Sequence, residues 1–443
     1  MKKLIKIIIL LSLFVLIGCT KESVKTEEVA MPQSIEESIN KFAESYVGIM
    51  LGMDIHEPGY VDAYYGPQEY KDDAIAIQKS LVDLRADAKE VIAGLSELDV
   101  SGEEEILQLR HQYLMKQLES VMSRIDMNEG VKFTFEREAK EIFDVTPPVY
   151  PESHFKEIVR EIGEMLPGTG TIQERFNTFR NEFVIPIDKL DTVFVAAITE
   201  ARIRTSKYIE LPENDNFELE YVTGKPWTGY NWYKGNSHSL IQLNTEFPLY
   251  IDRAIDVACH EGYPGHHLYN ALLEKTLARG RGWVEFTVNP LYSPQSIISE
   301  GSANFGIEVV FPGEERAVFE REVLFPLAGL DPSRVEEYYN VINLVAKLNY
   351  VSNEVARGYL NGDADRSESE EMFVNLALMT PERAAQRVRF IDKYRAYVIN
   401  YNLGKDLVSE YIESRGGSAD NPEKRWEEFI LLLSSPRLPS SLK

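Results

Sequence analysis

The chain has 443 residues, of which 44% are hydrophobic and 27% are charged, and these proportions are typical of a globular protein with an ordinary core. Its formal net charge of −24 at pH 7 gives a surface that repels phosphate backbones, so we exclude nucleic acid as a partner. The two cysteines, Cys19 and Cys259, cannot build a disulfide framework, and Cys259 is interpreted as a small core residue.

The N-terminus has the pattern of a secretory signal. Residues 1–18 combine a lysine-containing start with an apolar run that is too short for a mature membrane span. The run ends in Leu16-Ile17-Gly18-Cys19, which resembles the lipobox of bacterial lipoproteins. This resemblance implies cleavage before Cys19, lipid on its thiol and a body held at the cell envelope outside the cytoplasm; plain secretion and an uncleaved anchor are the alternatives. Residues 19–33 are polar and predict a flexible tether.

The body, residues 34–443, is predicted to be one mainly helical domain, since it contains neither an internal repeat nor a low-complexity linker. Ser34 begins a capping-box pattern ahead of an apolar stripe at helical spacing. Residues 58–67 are rich in Gly, Pro and Tyr and indicate a loop. Further amphipathic helices are predicted at residues 76–98, 103–125 and 171–208, the last interrupted at Pro186.

Residues 217–243 carry the clearest strand pattern, because apolar and polar residues alternate there. We predict a small antiparallel sheet just ahead of the histidine motif described next. An edge strand beside a metal site can pair with an extended substrate through backbone hydrogen bonds. A purely structural hairpin is the alternative.

Three of the seven histidines lie within residues 260–267, whose sequence is HEGYPGHH. An apolar stripe within residues 251–258 predicts a buried helix that ends near His260 and Glu261. In the zincin pattern His-Glu-x-x-His, the histidines at i and i+4 share one helix face and bind zinc, and the glutamate activates water. Here Pro264 occupies position i+4, so the second histidine ligand must come from further along the chain.

That second ligand is His266 or His267. On an ideal helix His267 shares a face with His260 but lies about 10 Å further along the axis, too far for one ion, and His266 faces away. Because Pro264-Gly265 breaks a helix, a two-residue bulge there would bring His266 to the ligand position. We therefore prefer His266 as the ligand, with His267 as the alternative; the other would orient a ligand or contact the substrate.

A third protein ligand is predicted on a second helix. Ser293-Pro294 has the form of a helix start, and Pro312-Gly313 has the form of a helix end. Within this helix, Glu300 lies far enough beyond His267 for the motif helix to finish and another to return. A glutamate on a second helix completes the His₂Glu set of gluzincin zinc peptidases, and Asn304, one turn on, is placed to orient a ligand histidine.

Together these motifs resemble a bacterial family, the domain of unknown function 885 proteins, which look like distant relatives of gluzincin metallopeptidases. The family pattern His-Glu-x-x-Pro-Gly-His-His is present at residues 260–267, Ser-Glu-Gly at residues 299–301, and the C-terminal Tyr-x-x-Gly at residues 401–404. The resemblance covers residues 34 to about 415. It implies a multi-helical gluzincin-like fold, one zinc ion per chain and peptidase activity.

The chain departs from the family pattern at three places: Tyr269 stands where the family has Gln, Ser302 stands where it has Trp, and Tyr401 is not preceded by Pro-Gly. These differences leave the metal ligands unchanged. In the mechanism that the pattern predicts, zinc polarises a carbonyl and lowers the pKa of water, and Glu261 is the general base. Tyr401 is the candidate donor to the oxyanion because it matches the family's tyrosine. His238, in the strand region, is a second candidate.

The leading interpretation is a zinc-dependent metallopeptidase, including exopeptidase action on small peptides. The first alternative is a zinc hydrolase of another amide or of an ester, and the second is a metal-stabilised binding lipoprotein without turnover. A structural zinc site usually has four protein ligands and would give Glu261 no role, which disfavours the second alternative. The predicted partners are a peptide or small amide substrate and a membrane contacted through lipid on Cys19; no protein partner is indicated.

Overall fold

The structure is a computed structural model that describes residues 34–442. The predicted signal segment, residues 1–18, and the predicted tether, residues 19–33, lie outside this range, and so does Cys19. Residues Ile35–Lys443 form one compact unit. Within the described range, none of the helices combines the length and the apolar character that a membrane span requires.

The first half of the body is built from helices joined by short turns. Side chains of Ser80, Thr134 and Thr171 cap three of these helices by accepting a backbone N–H of the first turn. The bounds are α1 Ile35–His56, α2 Gln68–Ile77, α3 Leu81–Ser96, α4 Glu105–Asn128, α5 Phe135–Phe143, α6 Glu152–Met165, α7 Ile172–Asn181 and α8 Leu190–Thr205.

Two of these boundaries differ from the sequence prediction. The segment predicted as one helix over residues 76–98 is split between α2 and α3, because Gln78 adopts a left-handed conformation (φ 48°) and Ser80 starts a new helix with a capping box to Asp83. The predicted loop at residues 58–67 contains a short strand, β1 (Val61–Tyr64), which pairs antiparallel with β5 (Val288–Pro290). Strands this short leave too little alternation to be read from sequence.

The predicted sheet ahead of the motif consists of β2 (Asn216–Val222), β3 (Gly229–Gly235) and β4 (His238–Asn244), in the order β2-β4-β3. The pair β3–β4 is the predicted antiparallel hairpin. The strand β2 pairs parallel with β4, Asn216 opposite His238, so the sheet is mixed rather than wholly antiparallel. Alternation in sequence identifies strands but not their direction, which explains the difference.

The second half of the body is again helical, and it begins with the histidine motif. Its helices are α9 Asp252–Val257, α10 His266–Leu273, α11 Pro294–Val310, α12 Glu315–Phe319, α13 Phe325–Ala328, α14 Val335–Ala346, α15 Val351–Asn361, α16 Arg366–Leu376, α17 Pro381–Tyr394, α18 Ile399–Ser414 and α19 Pro422–Leu433. The prediction of a mainly helical, multi-helical fold with a small sheet is therefore confirmed.

The site helices lie inside one hydrophobic core that continues from α1 to the C-terminal helices. The helix α11 is buried along most of its length, as the fully or almost fully buried Ile297, Ala303 and Phe305 show. It crosses α18 where Gly301 meets Gly404: a Cβ atom on Gly301 would lie 2.3 Å from the carbonyl carbon of Gly404. This close approach holds α11 and α18 in a fixed relation, and both carry residues of the site described next.

Candidate metal centre

The histidine motif does not form a continuous helix. After α9, a wider π-helical turn, Ala258–Gly262, carries His260 and Glu261, and α10 starts only at His266. The sequence predicted a two-residue bulge within a helix, but the structure has a complete break, in which the Tyr263–Pro264 peptide bond is cis. The backbone N–H of Gly265 donates to the carbonyl oxygen of Cys259 at 2.8 Å and closes this break.

Only glycine fits at the break. A Cβ atom on Gly265 would lie 1.9 Å from the carbonyl oxygen of His260 and 2.4 Å from that of Cys259. The two segments therefore touch backbone to backbone, and the start of α10 lies beside the end of the preceding turn. This contact brings His266 next to His260 although six positions separate them in the sequence.

His260, His266 and Glu300 form a cluster whose potential ligand atoms all lie within 4.8 Å of one another. The carboxylate oxygen Oε2 of Glu300 is 3.1 Å from Nε2 of His260 and 3.6 Å from Nε2 of His266. All three side chains are largely buried, with exposures of 8–16%. The structure thus brings together three of the four predicted metal ligands.

The second nitrogen of each imidazole is held by α11. Asn304 donates from Nδ2 to the carbonyl oxygen of Tyr401 (2.8 Å), which turns its Oδ1 towards Nδ1 of His260 at 3.0 Å. Because an amide oxygen only accepts, His260 donates from Nδ1, which leaves Nε2 as the nitrogen that can bind a metal in the neutral imidazole. Ser299 makes the equivalent hydrogen bond to Nδ1 of His266 at 3.0 Å. Asn304 therefore has the predicted orienting contact.

This donor set fits a metal cation. The Oε1 atom of Glu300 accepts from the Tyr397 hydroxyl at 2.7 Å, whereas its buried Oε2 faces Nε2 of His260 and of His266 without a well-formed hydrogen bond to either. Burial opposes a charge on His266, but the Glu300 carboxylate outweighs it and raises the pKa of His266 to about 9. The position between these side chains therefore attracts positive charge, and two imidazoles with a carboxylate are a ligand set that suits zinc.

Glu261 lies beside the cluster but is not one of the three clustered groups. Its side chain is 5% exposed, and its Oε2 has no hydrogen-bond partner among the described residues. Asn231 donates to its backbone carbonyl at 2.7 Å, and Gly229 leaves room for its carboxylate, since a Cβ atom there would lie 2.8 Å from Oε1. Burial raises the pKa of Glu261, against the effect of His260 and His266. The group is thus a buried base without a structural hydrogen bond.

Tyr401 lies against the cluster from α18, with its ring centroid 6.4 Å from that of His260. Burial, followed by the negative charge of Glu300, raises the pKa of Tyr401 well above its usual value. The hydroxyl therefore stays protonated at neutral pH and is available as a hydrogen-bond donor. Tyr397, which donates to Glu300, was missed in the sequence, since it lies in the short turn between α17 and α18 and contacts the site only through packing.

The remaining two predicted site residues lie outside the cluster. His267 is fully buried and uses both ring nitrogens, Nδ1 with Oγ of Ser239 (2.8 Å) and Nε2 with Oδ1 of Asp215 (2.9 Å). It joins α10 to the sheet, so it has no free nitrogen for a metal. His238 begins β4, where its Nε2 is 3.9 Å from Glu218, and it does not line the cleft. This placement removes the geometric basis for an oxyanion role of His238.

The cluster opens into a cleft with a volume of about 1110 Å³. One wall is the start of β3 and the turn before it, from Pro226 to Asn231, and β3 is an edge strand of its sheet. The opposite walls come from α11, α14, α17 and α18. The cleft is large enough for a short peptide, and it is lined by the start of an edge strand as well as by the His260, His266 and Glu300 cluster.

Comparison of the chain with protein-family models gave no match, and neither did comparison with curated proteins. Among solved structures, the chain is similar to a protein from Colwellia psychrerythraea described as a lipoprotein, with a TM-score of 0.51 and 14% sequence identity over 93% of this chain and 75% of that one. A second match is the M32 carboxypeptidase from Deinococcus radiodurans R1, with a TM-score of 0.35 and 13% identity over 91% and 92% of the two chains. At this level of identity the first likeness concerns the fold alone.

Proposed function

We propose that the protein is a zinc-dependent amide hydrolase, and specifically a peptidase, held at the bacterial cell envelope by lipid on Cys19. One observation carries the proposal: the carboxylate of Glu261 is buried in the cleft beside the His260, His266 and Glu300 cluster, and it has no hydrogen-bond partner among the described residues. An unpaired buried carboxylate has a free-energy cost that a fold without a use for it would avoid.

In this proposal His260, His266 and Glu300 hold one zinc ion, with His267 excluded by its two hydrogen bonds. When bound, zinc polarises a substrate carbonyl and makes a water molecule more acidic. Glu261 accepts the proton from the attacking water at a carboxylate oxygen and delivers it to the nitrogen of the leaving group. The Tyr401 hydroxyl donates to the carbonyl oxygen as negative charge develops on it.

The cleft supports a peptide as the substrate. The free edge of β3 presents backbone groups next to the cluster, so an extended peptide can add to the sheet and satisfy its own amides. The same parts suit a non-peptide amide or an ester, and a screen of substrates separates these classes. The motifs at residues 260–267, 299–301 and 401–404 also support membership of the domain of unknown function 885 family.

The test compares metal content and turnover in matched variants. We expect the purified protein to contain about one zinc per chain by mass spectrometry, and His260→Ala, His266→Ala and Glu300→Ala each to lose it. Glu261→Gln should keep zinc and lose about 100-fold or more in kcat on a cleaved peptide. Glu308→Gln is the matched control, since Glu308 also lines the cleft but pairs with Lys405.

Three results would contradict the proposal. Full zinc occupancy in the His260 or Glu300 variant would remove that residue from the ligand set. A zinc-loaded Glu261→Gln protein with normal hydrolysis would require another base, and zinc binding without hydrolysis of any amide or ester would leave the metal-stabilised binding lipoprotein.

A further inference from the structure

Six arginines line the cleft, and they fall into two groups by their partners. Four of them form ion pairs with carboxylates: Arg180 with Asp252, Arg253 and Arg316 with Asp256, and Arg425 with Glu413. The other two, Arg383 and Arg387 on α17, have no carboxylate within ion-pairing distance among the described residues. These two cations remain unneutralised in a chain whose net charge is −24.

The contacts of Arg383 and Arg387 are with neutral groups. The Arg383 guanidinium lies 4.1 Å from the ring centroid of Phe247 and donates to Oε1 of Gln386 at 3.3 Å. The Arg387 guanidinium lies 4.6 Å from the ring centroid of Phe390. Both side chains are partly buried. Aromatic rings hold each guanidinium in place, but they leave some of its N–H groups without a hydrogen-bond acceptor.

Unneutralised arginines in a cleft have a free-energy cost. An arginine cannot shed its charge near neutral pH, so burial without an anion leaves the cost of desolvation in place. Burial lowers the pKa of Arg383 to about 10, with further lowering by Arg180 and Arg253, and burial also lowers the pKa of Arg387. The charge of Glu246 offsets part of this cost for Arg383 without pairing with it. Since no carboxylate of the described residues pairs with either guanidinium, an anion from outside the chain is the natural partner.

The two arginines are placed to share one anion near the metal cluster. They are four positions apart on α17, so their side chains are neighbours on one helix face. The Arg387 guanidinium is 6.0 Å from the ring centroid of Tyr401, and that ring is 6.4 Å from His260. An extended peptide advances about 3.3–3.6 Å per residue. These two spacings place Arg387 within about 12 Å of His260, so a carboxylate up to about three residues from a carbonyl at the cluster can reach Arg387.

We infer that Arg383 and Arg387 form a carboxylate-binding subsite of the cleft, which binds a carboxylate within about three residues of the scissile amide. The fork of a guanidinium matches the two oxygens of a carboxylate. Two sources have this chemistry: the C-terminal carboxylate of a peptide, and an acidic side chain near the scissile bond. The inference rests on the proposed function, and the first source would make the enzyme a carboxypeptidase that releases a short C-terminal fragment.

The test measures binding rather than turnover, with the purified full-length protein stripped of metal. The probes are N-acetyl-Gly-Gly-Phe as the free acid and as the C-terminal amide, studied by calorimetry. We expect the acid to bind about 10-fold to 100-fold more tightly than the amide, the range for hydrogen bonds to a charged group. Arg387→Gln and Arg383→Gln should each reduce this ratio, and the double variant should bring it close to one.

Arg389→Gln is the matched control, because Arg389 is exposed on the same helix and should leave the ratio unchanged. A second pair of probes, terminal amides ending in Asp or in Asn, separates the two sources of carboxylate. A preference for Asp over Asn that the Arg383 and Arg387 variants lose assigns the subsite to a side chain; a preference for free acid over amide assigns it to the peptide terminus.

A purely structural role for the arginines predicts instead that replacing them lowers Tm. Arg110→Gln, which deprives the buried Glu285 of its ion-pair partner, should lower Tm, whereas Arg387→Gln should leave Tm unchanged or raise it. Equal affinities for all four probes in the wild type, or a wild-type ratio in the double variant, would overturn the subsite. If the protein hydrolyses no amide but still binds the free acid more tightly than the amide, only the proposed hydrolase activity is rejected.

Discussion

Substituting Gly265 by alanine tests whether the backbone contact at the motif break builds the metal site. A Cβ atom at this position would lie 1.9 Å from the carbonyl oxygen of His260, whereas real Cβ atoms essentially never approach within 3.0 Å. The neighbouring groups are backbone atoms, which cannot rotate away as a side chain would. The end of the turn that carries His260 must therefore move by about 1 Å relative to His266.

This displacement sets the expected magnitude. Metal–ligand distances tolerate deviations of only about 0.2 Å, so a shift of this size separates His260 from His266 beyond what one ion can bridge. We expect the affinity for zinc to fall by at least about 100-fold, the upper end of losses seen when only the groups orienting a ligand are removed. Overpacking of the break should also lower the free energy of unfolding by about 1–3 kcal/mol.

The assay is competition with a chelator of known zinc affinity, together with urea denaturation of the metal-free protein. Gly48→Ala is the matched control, because Gly48 is within α1 and a Cβ atom there would have no neighbour within 4 Å. This control should bind zinc normally and gain about 0.5–1 kcal/mol of stability from its better helix propensity. Wild-type zinc affinity and stability in Gly265→Ala would refute the reasoning.

Two further predictions follow from other contacts of the site, and a third concerns the N-terminal segment. Asn304→Ala should weaken zinc binding about 10-fold to 100-fold. Asn304→Asp keeps an acceptor for His260 but loses the donor to the Tyr401 carbonyl, so its zinc affinity should lie between those of the wild type and Asn304→Ala. Equal zinc affinities of the wild type and Asn304→Ala in a chelator titration would contradict the orienting role. His267→Ala should keep zinc but lose about 2–3 kcal/mol in urea denaturation, because Asp215 loses a buried partner, and loss of zinc instead would restore His267 as a ligand. Cys19→Ala should abolish incorporation of labelled palmitate, and unchanged labelling would reject the lipobox interpretation.

The sequence predicts most helices well, but it predicts the turns between elements and the direction of strand pairing poorly. Strong caps such as Thr171 and a proline such as Pro186 mark helix boundaries, and the structure places helices next to them. The split between α2 and α3 was missed because Gln78, unlike glycine, rarely takes a left-handed conformation and gives no warning in the sequence. The parallel pairing of β2 with β4 depends on how the chain returns after β2, and alternation does not encode that path.

For the candidate site, residue type and spacing identify the residues that lie together in the structure. They do not predict the backbone geometry that brings these residues together. The break at Pro264-Gly265 predicts that His266 and not His267 approaches His260, and the structure shows this arrangement. The sequence missed Tyr397, Gly229 and the arginines of α17, because each acts through contacts with residues distant in the chain. Such partners become visible only once the helices are packed.

The helices α11 and α17 contribute different residues to the cleft, and this difference determines which substitutions should affect the metal and which should affect the substrate. The helix α11 carries Glu300, the proposed carboxylate ligand, together with Ser299 and Asn304, whose hydrogen bonds orient the imidazoles of His266 and His260. Its burial and its contact with α18 leave it little freedom to move, so the geometry of the metal centre depends mainly on one rigid helix. The arginines that face the substrate belong instead to α17, which supplies none of the metal ligands. Substitutions on α17 should therefore change which substrates bind while metal affinity is preserved, and substitutions on α11 should change metal affinity for every substrate alike.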